Sequence, residues 1–100
     1  MEPTVSRIGP VVDELFGVIE SRRDADPETS YTARLLGGHE DKLLKKIGEE
    51  ATEVVMAAKD HDPAQVRYEA ADLLYHLLVV MAREGVTPDD LAAALAERRR

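Results

Sequence analysis

The sequence predicts an all-α fold, an antiparallel helical bundle of four main helices forming one domain over residues 1–100. Three features carry that expectation. Apolar residues recur at three- and four-residue spacing along each long segment. No stretch alternates apolar and polar residues as a half-buried strand does. Proline and glycine fall where helices would begin and end, with short polar connections suited to antiparallel neighbours.

Pro10 suits a first helical turn, and Val11, Val12, Leu15, Phe16, Val18 and Ile19 follow at helical spacing, predicting a helix over about 9–24. Asp24 to Ser30 is a polar loop around Pro27. Tyr31 to Leu36 reads as a short helix behind a Thr29 or Ser30 cap, stopped by Gly37 and Gly38. A long helix is expected from about Glu40 to Lys59. Asp62-Pro63 is a cap followed by proline at the first position, and it opens a second long helix that Gly85 ends. Thr87 repeats that logic before Pro88, with Asp90 three residues on, and opens a last helix to about Arg99.

Composition narrows the function. Of 100 residues, 25 are Leu, Ile, Val or Phe, enough to exclude intrinsic disorder. Cysteine is absent, which removes disulfides, thiol catalysis and thiolate zinc sites, and fits a reducing cytoplasm. A net charge of −7, with three Tyr, one Phe and no Trp, speaks against nucleic acid as a partner. An anionic partner would need a local reversal of sign, which a metal ion supplies. No apolar run approaches the length of a membrane span, and Met1 to Ile8 lacks the pattern of a signal peptide. A cytoplasmic protein without a membrane partner is therefore expected.

The chemistry concentrates in carboxylates. At about 100° per residue, Glu49, Glu50 and Glu53 share one arc of the first long helix, with Lys42 and Lys46 on the same arc. Leu44, Ile47, Ala51, Val54, Val55 and Ala58 are expected to form the opposite, core-facing stripe. Alone, these acids read as a salt-bridged surface. The second long helix changes that reading. From Ala70 to Ala82 it is apolar on nearly every side, yet Glu69, Asp72 and His76 share one stripe at i, i+3 and i+7. Unpaired carboxylates in such a setting cost several kcal/mol each and require cations or protonation. Only Arg67 and Arg83, near its ends, are basic on this helix. Packed antiparallel, the two helices would converge four or five carboxylates. Oxygen ligands without Cys suit a hard ion, Mg²⁺ or Mn²⁺, held through carboxylates, waters and substrate phosphates. A structural ion-pair network is the alternative.

Glu49-Glu50-x-x-Glu53, then fifteen residues, then Glu69-x-x-Asp72 resembles the EExxE…ExxD signature of the all-α, MazG-like nucleotide pyrophosphohydrolases. Three longer strings are more specific: Lys42 to Lys59 (KLLKKIGEEATEVVMAAK), Ser30-Tyr31-Thr32, and Asp72 to Leu78 (DLLYHLL). Together they are similar to the phosphoribosyl-ATP pyrophosphohydrolases of histidine biosynthesis, over about Val11 to Arg99. The resemblance implies Mg²⁺-dependent hydrolysis of phosphoribosyl-ATP to phosphoribosyl-AMP and pyrophosphate, the second step of that pathway, by a homodimer of helical bundles. The cyclohydrolase sometimes fused to this activity relies on cysteine-bound zinc, so a chain without cysteine is expected to lack zinc and that second activity.

The superfamily's ExxE and ExxD pairs imply Glu50, Glu53, Glu69 and Asp72 as metal ligands. Glu53, or else Glu49, is the expected catalytic base; spacing alone does not separate base from ligand. Lys42, Lys45 and Lys46 are candidate phosphate contacts, with a solvated basic turn as the alternative. The family match adds Ser30, Tyr31 and Thr32 as substrate-binding residues; without it they read as a cap and a packed tyrosine. His76 reads first as a satisfied core or interface histidine, with a contact to the metal shell as the alternative. His39 and His61 are expected in loops, and Arg98 to Arg100 in a solvated tail. The apolar helix from Leu73 to Met81 is expected to leave a patch that a second copy covers. A housekeeping hydrolase of nucleoside triphosphates and a non-catalytic helical interaction module remain the rival functions.

Overall fold

A computed structural model describes residues 5–99 of the chain; residues 1–4 and Arg100, the last arginine of the basic tail, lie outside them. Five helices appear in order: α1 (Ile8–Ser21), α2 (Tyr31–Gly37), α3 (Glu40–Lys59), α4 (Pro63–Glu84) and α5 (Pro88–Ala96). The described residues include no strand and no helix long and apolar enough to cross a membrane.

The caps explain the boundaries. Ser30, not Thr29, caps α2, its hydroxyl accepting from the Ala33 N–H at 3.1 Å. Asp62 caps α4 through the Gln65 N–H, with Pro63 behind it. Thr87 and Asp90 close a reciprocal capping box on α5. Gly85 ends α4 at φ 72°, a conformation that costs glycine little. Two helices are shorter than expected. α1 stops at Ser21, where the Arg22 and Arg23 N–H groups bond to Ile19 and Glu20 carbonyls in tighter turns. The Arg23 side chain then crosses to the Ala82 carbonyl at 2.6 Å. α5 ends at Ala96, because Glu97 to Arg99 are charged and exposed and bring no apolar contact to hold another turn.

The backbone of the molecule is the α3–α4 hairpin, joined by Asp60 to Asp62. Glu53 meets Glu69, and Glu50 meets Asp72, so residues equally far from the turn face each other and the helices run antiparallel. α1 and α2 pack on the C-terminal half of α4, away from that turn. The core there consists of Ile19, Leu35, Leu43, Leu78, Val79 and Ala82, with Val12, Leu15, Phe16 and Leu74 around it. Each fully buried Ile19, Leu43, Leu78 or Val79 contributes roughly 1.5–3 kcal/mol by leaving water. Arg83 ties α2 down by donating to the Leu35 and Gly38 carbonyls, both at 2.8 Å.

Two expectations are corrected by this packing. On α3 the buried positions are Leu43, Glu50 and Ala57, with Ile47 and Val54 half-buried between them. Leu44, Val55 and Ala58, expected inside, are exposed. The helix is turned so that its acid-bearing flank faces α4, which brings Glu50 onto the core stripe. On α4 the apolar surface is largely covered within the chain: Leu78 and Val79 are fully buried, Leu73, Leu74, Val80 and Met81 half-buried, and Leu77 alone among them is exposed. The uncovered apolar surface lies instead on α1 and α3, with Val55 66% and Met56 60% accessible. The molecule is elongated, 48 × 31 × 23 Å, with a radius of gyration of 15.1 Å against about 13 Å for a compact domain this size.

Candidate active site and metal centre

Halfway along the hairpin, Glu50, Glu69 and Asp72 each present a carboxylate oxygen within 4.8 Å of the others. Helical spacing brings this about: Glu69 and Asp72 are three apart on one face of α4, and the antiparallel register sets Glu50 against them. Glu50 is only 5% accessible, Glu69 half-buried and Asp72 exposed, so the cluster has one closed and one open side.

Its hydrogen-bonding is incomplete. Lys46 Nζ lies 3.4 Å from Glu50 Oε1, and Gln65 Nε2 donates to Glu69 Oε1 at 2.6 Å. Glu50 Oε2 and Glu69 Oε2 are buried and have no donor to accept from while their neighbours are ionised. Buried acceptors are normally satisfied, and two orphaned carboxylate oxygens on residues of one cluster fit a hard cation. Glu53, one turn beyond Glu50, is exposed and stands against Glu69. Its carboxyl is pushed up to about 7, first by a hydrogen bond to Glu69 and then by that residue's charge; the same bond lowers Glu69. Without a cation the pair thus holds one proton between two carboxylates. Lys46 is raised by its bond to Glu50 and stays charged.

Beside the acids, between α2 and the first half of α3, opens a cavity of about 670 Å³. Lys42, Lys45, Lys46 and Glu49 border it from α3, and Tyr31 and Arg34 from α2. Of the sequence-predicted substrate residues, the three lysines and Tyr31 reach this space. Ser30 and Thr32 do not: Ser30 is spent on the cap, and the Thr32 hydroxyl bonds the Tyr75 hydroxyl. Glu49 is exposed at the cavity edge rather than in the carboxylate cluster.

His76 is a satisfied buried histidine. Its Nδ1 donates to the Asp72 carbonyl at 2.8 Å, and its Nε2 pairs with the Tyr31 hydroxyl at 2.9 Å. His39 caps α3, Nδ1 accepting from the Asp41 N–H, and borders the cavity; His61 sits in the interhelical turn at φ 56°. Arg34 was not anticipated. Its guanidinium donates to the Pro27 carbonyl at 2.8 Å and lies 5.6 Å from the Tyr31 ring centre. In sequence it reads as an ordinary basic residue in the last turn of a short helix, where it complements the dipole.

An antiparallel helix pair with facing ExxE and ExxD carboxylates and no strand defines an all-α, MazG-like class of protein. The family model for phosphoribosyl-ATP pyrophosphohydrolase matches residues 12–99, and the chain belongs to that family. It is 53% identical over 90 residues to the phosphoribosyl-ATP pyrophosphatase of Haloquadratum walsbyi, covering 88% of this chain and 90% of that one. The phosphoribosyl-ATP pyrophosphatase of Haloarcula marismortui is 50% identical over 93 residues, covering 91% and 95%. The histidine biosynthesis bifunctional protein HisIE of Thermus thermophilus is also 50% identical over 93 residues, but this chain spans only 44% of its length.

Proposed function

We propose that this chain hydrolyses the α–β phosphoanhydride of phosphoribosyl-ATP, giving phosphoribosyl-AMP and pyrophosphate in histidine biosynthesis, with Mg²⁺ as cofactor. The observation that carries the proposal is the gathering of Glu50, Glu69 and Asp72 oxygens within 4.8 Å, two of those residues with a buried oxygen lacking a donor. Family membership and the names of the relatives supply the substrate. Glu50, Glu69 and Asp72 would hold the ion, with Glu53 as a fourth ligand or as the base. An all-oxygen set favours Mg²⁺, or Mn²⁺, over zinc. Bound there, the ion would neutralise phosphate charge and acidify a nearby water.

The side chains account for the remaining chemistry. The water oxygen attacks phosphorus in line; the bridging P–O bond breaks, and its electron pair leaves with pyrophosphate. Glu53, exposed and beside Glu69, would take the proton from that water. Lys46, held charged next to Glu50, offers an ammonium to the phosphate oxygens where charge builds up. Lys42 and Lys45 extend that positive edge along the cavity.

The uncovered apolar residues of α1 and α3 support a homodimer, which would also cover part of the elongated molecule's exposed surface. The cytoplasm is the proposed location. The reaction is tested by resolving the products of phosphoribosyl-ATP with and without Mg²⁺. Phosphoribosyl-AMP and pyrophosphate in equal amounts support the reading; preferential turnover of ordinary deoxynucleoside triphosphates replaces it with a housekeeping role.

A further inference from the structure

The cavity contrasts in charge with the rest of the chain. On a protein of net charge −7, its lining carries four cations, Arg34, Lys42, Lys45 and Lys46, against one carboxylate, Glu49. Lys46 is paired with Glu50, but among the described residues Lys42, Lys45 and Arg34 have no ion pair. Unneutralised cations around a concave space raise the local anion concentration. Arg34 is also held in place, by the Pro27 carbonyl and the Tyr31 ring, so ordering it against an anion costs little further entropy.

Lys42 precedes Glu50 by eight residues, about 12 Å along α3. A phosphate held at Lys42 would therefore sit toward the end of α3 away from the carboxylate cluster, with Lys45 between them, and would belong to a different part of the substrate. Phosphoribosyl-ATP has two such parts: the triphosphate on one side of the purine and a ribose 5-phosphate on the other. Tyr31 lies between the two regions of the site. Arg34 is beside its ring, while Lys46 and Glu50 are near enough to act on its hydroxyl.

We propose that the α2–α3 cavity is the subsite for the phosphoribosyl phosphate, and that Arg34, Lys42 and Lys45 make the enzyme prefer phosphoribosylated nucleotides over plain adenine nucleotides. This rests on the proposed reaction and adds where its substrate specificity resides. A plain nucleotide leaves the three cations unpartnered and forgoes their charge-assisted bonds.

The test is calorimetric titration of phosphoribosyl-AMP and of AMP, with Mg²⁺ present, into wild type, Arg34→Gln and Lys42→Gln. Wild type should bind phosphoribosyl-AMP at least tenfold more tightly than AMP, and each variant should shrink that ratio to threefold or less. Lys42 is exposed and makes no ion pair, so its variant keeps the test valid even if Arg34→Gln loosens the Pro27 loop. Equal affinity of wild type for both ligands, or an unchanged ratio in both folded variants, overturns the subsite. Binding does not depend on turnover. A wild type with the tenfold preference but no pyrophosphate release would sink the proposed reaction and keep the subsite, whereas pyrophosphate release without the preference would do the reverse.

Discussion

Glu50→Gln separates a metal site from a structural ion pair. In the folded chain Glu50 is buried, with one oxygen near Lys46, the other without a donor, and two more carboxylates within 4.8 Å. If Glu50 serves structure alone, the substitution only loses its ion pair with Lys46 and destabilises the metal-free protein. If it serves a cation, the metal-free protein is relieved by the change. The lost attraction to Lys46, itself 39% accessible, is worth at most about 1 kcal/mol. The new amide keeps an acceptor for Lys46 and offers N–H donors to the crowded carboxylates, removing an unsatisfied buried group that costs about 1–3 kcal/mol. The balance favours the variant by about 1 kcal/mol, which raises the Tm by about 4–8 °C in a domain this size. The assay is thermal unfolding at pH 8 in EDTA and in excess Mg²⁺, beside pyrophosphate release. The variant should melt higher than wild type in EDTA, gain nothing from Mg²⁺ and lose turnover at least a hundredfold. A variant that melts lower in EDTA and is stabilised by Mg²⁺ as wild type is would assign Glu50 to structure and not to a metal.

Three further outcomes are expected. Lys46→Ala should lower kcat/KM by about 2–4 kcal/mol of transition-state stabilisation, and Lys46→Arg should rescue little, because a planar fork does not replace a compact ammonium; a loss under threefold in Lys46→Ala would assign the lysine to solvent. In pH dependence, Glu53, raised to about 7, keeps a proton in the folded metal-free protein that the unfolded chain releases from about 4.5 upward. Its contribution is therefore full below about 4.5 and lost as pH rises through 7, while the lowered Glu69 is already ionised across that window. Urea midpoints in EDTA should fall between pH 5 and 8 relative to those of Glu53→Gln; parallel profiles would contradict the shared proton. For assembly, wild type should sediment as a dimer at micromolar concentration, and Val55→Glu or Met56→Glu should weaken it by charging the uncovered α3 surface; a fully active wild-type monomer would end the dimer proposal.

Much of this was legible because local chemistry decides it. Asp62-Pro63 and Thr87 with Asp90 start helices by satisfying their first N–H groups, whatever the tertiary context. Glu69 and Asp72 share a face because three-residue spacing forces it, and the antiparallel register sets Glu50 against them. The rotation of α3 was not legible. Apart from Met56, its apolar residues span roughly 160°, from Ala57 through Leu43 to Val55, and only about half of that arc is buried. Which half turns inward depends on where Glu69 and Asp72 stand on a helix far along the chain. Arg34 escaped for the same reason: its role comes from Pro27 and Tyr31 beside it and from Lys42 across the cavity.

The most direct measurement is a single-turnover reaction of the wild-type chain with phosphoribosyl-ATP, metal-stripped and then supplied with Mg²⁺. No turnover is expected without the ion, and with it one pyrophosphate and one phosphoribosyl-AMP per substrate consumed. Release of orthophosphate, or turnover at the same rate in EDTA, would contradict that expectation.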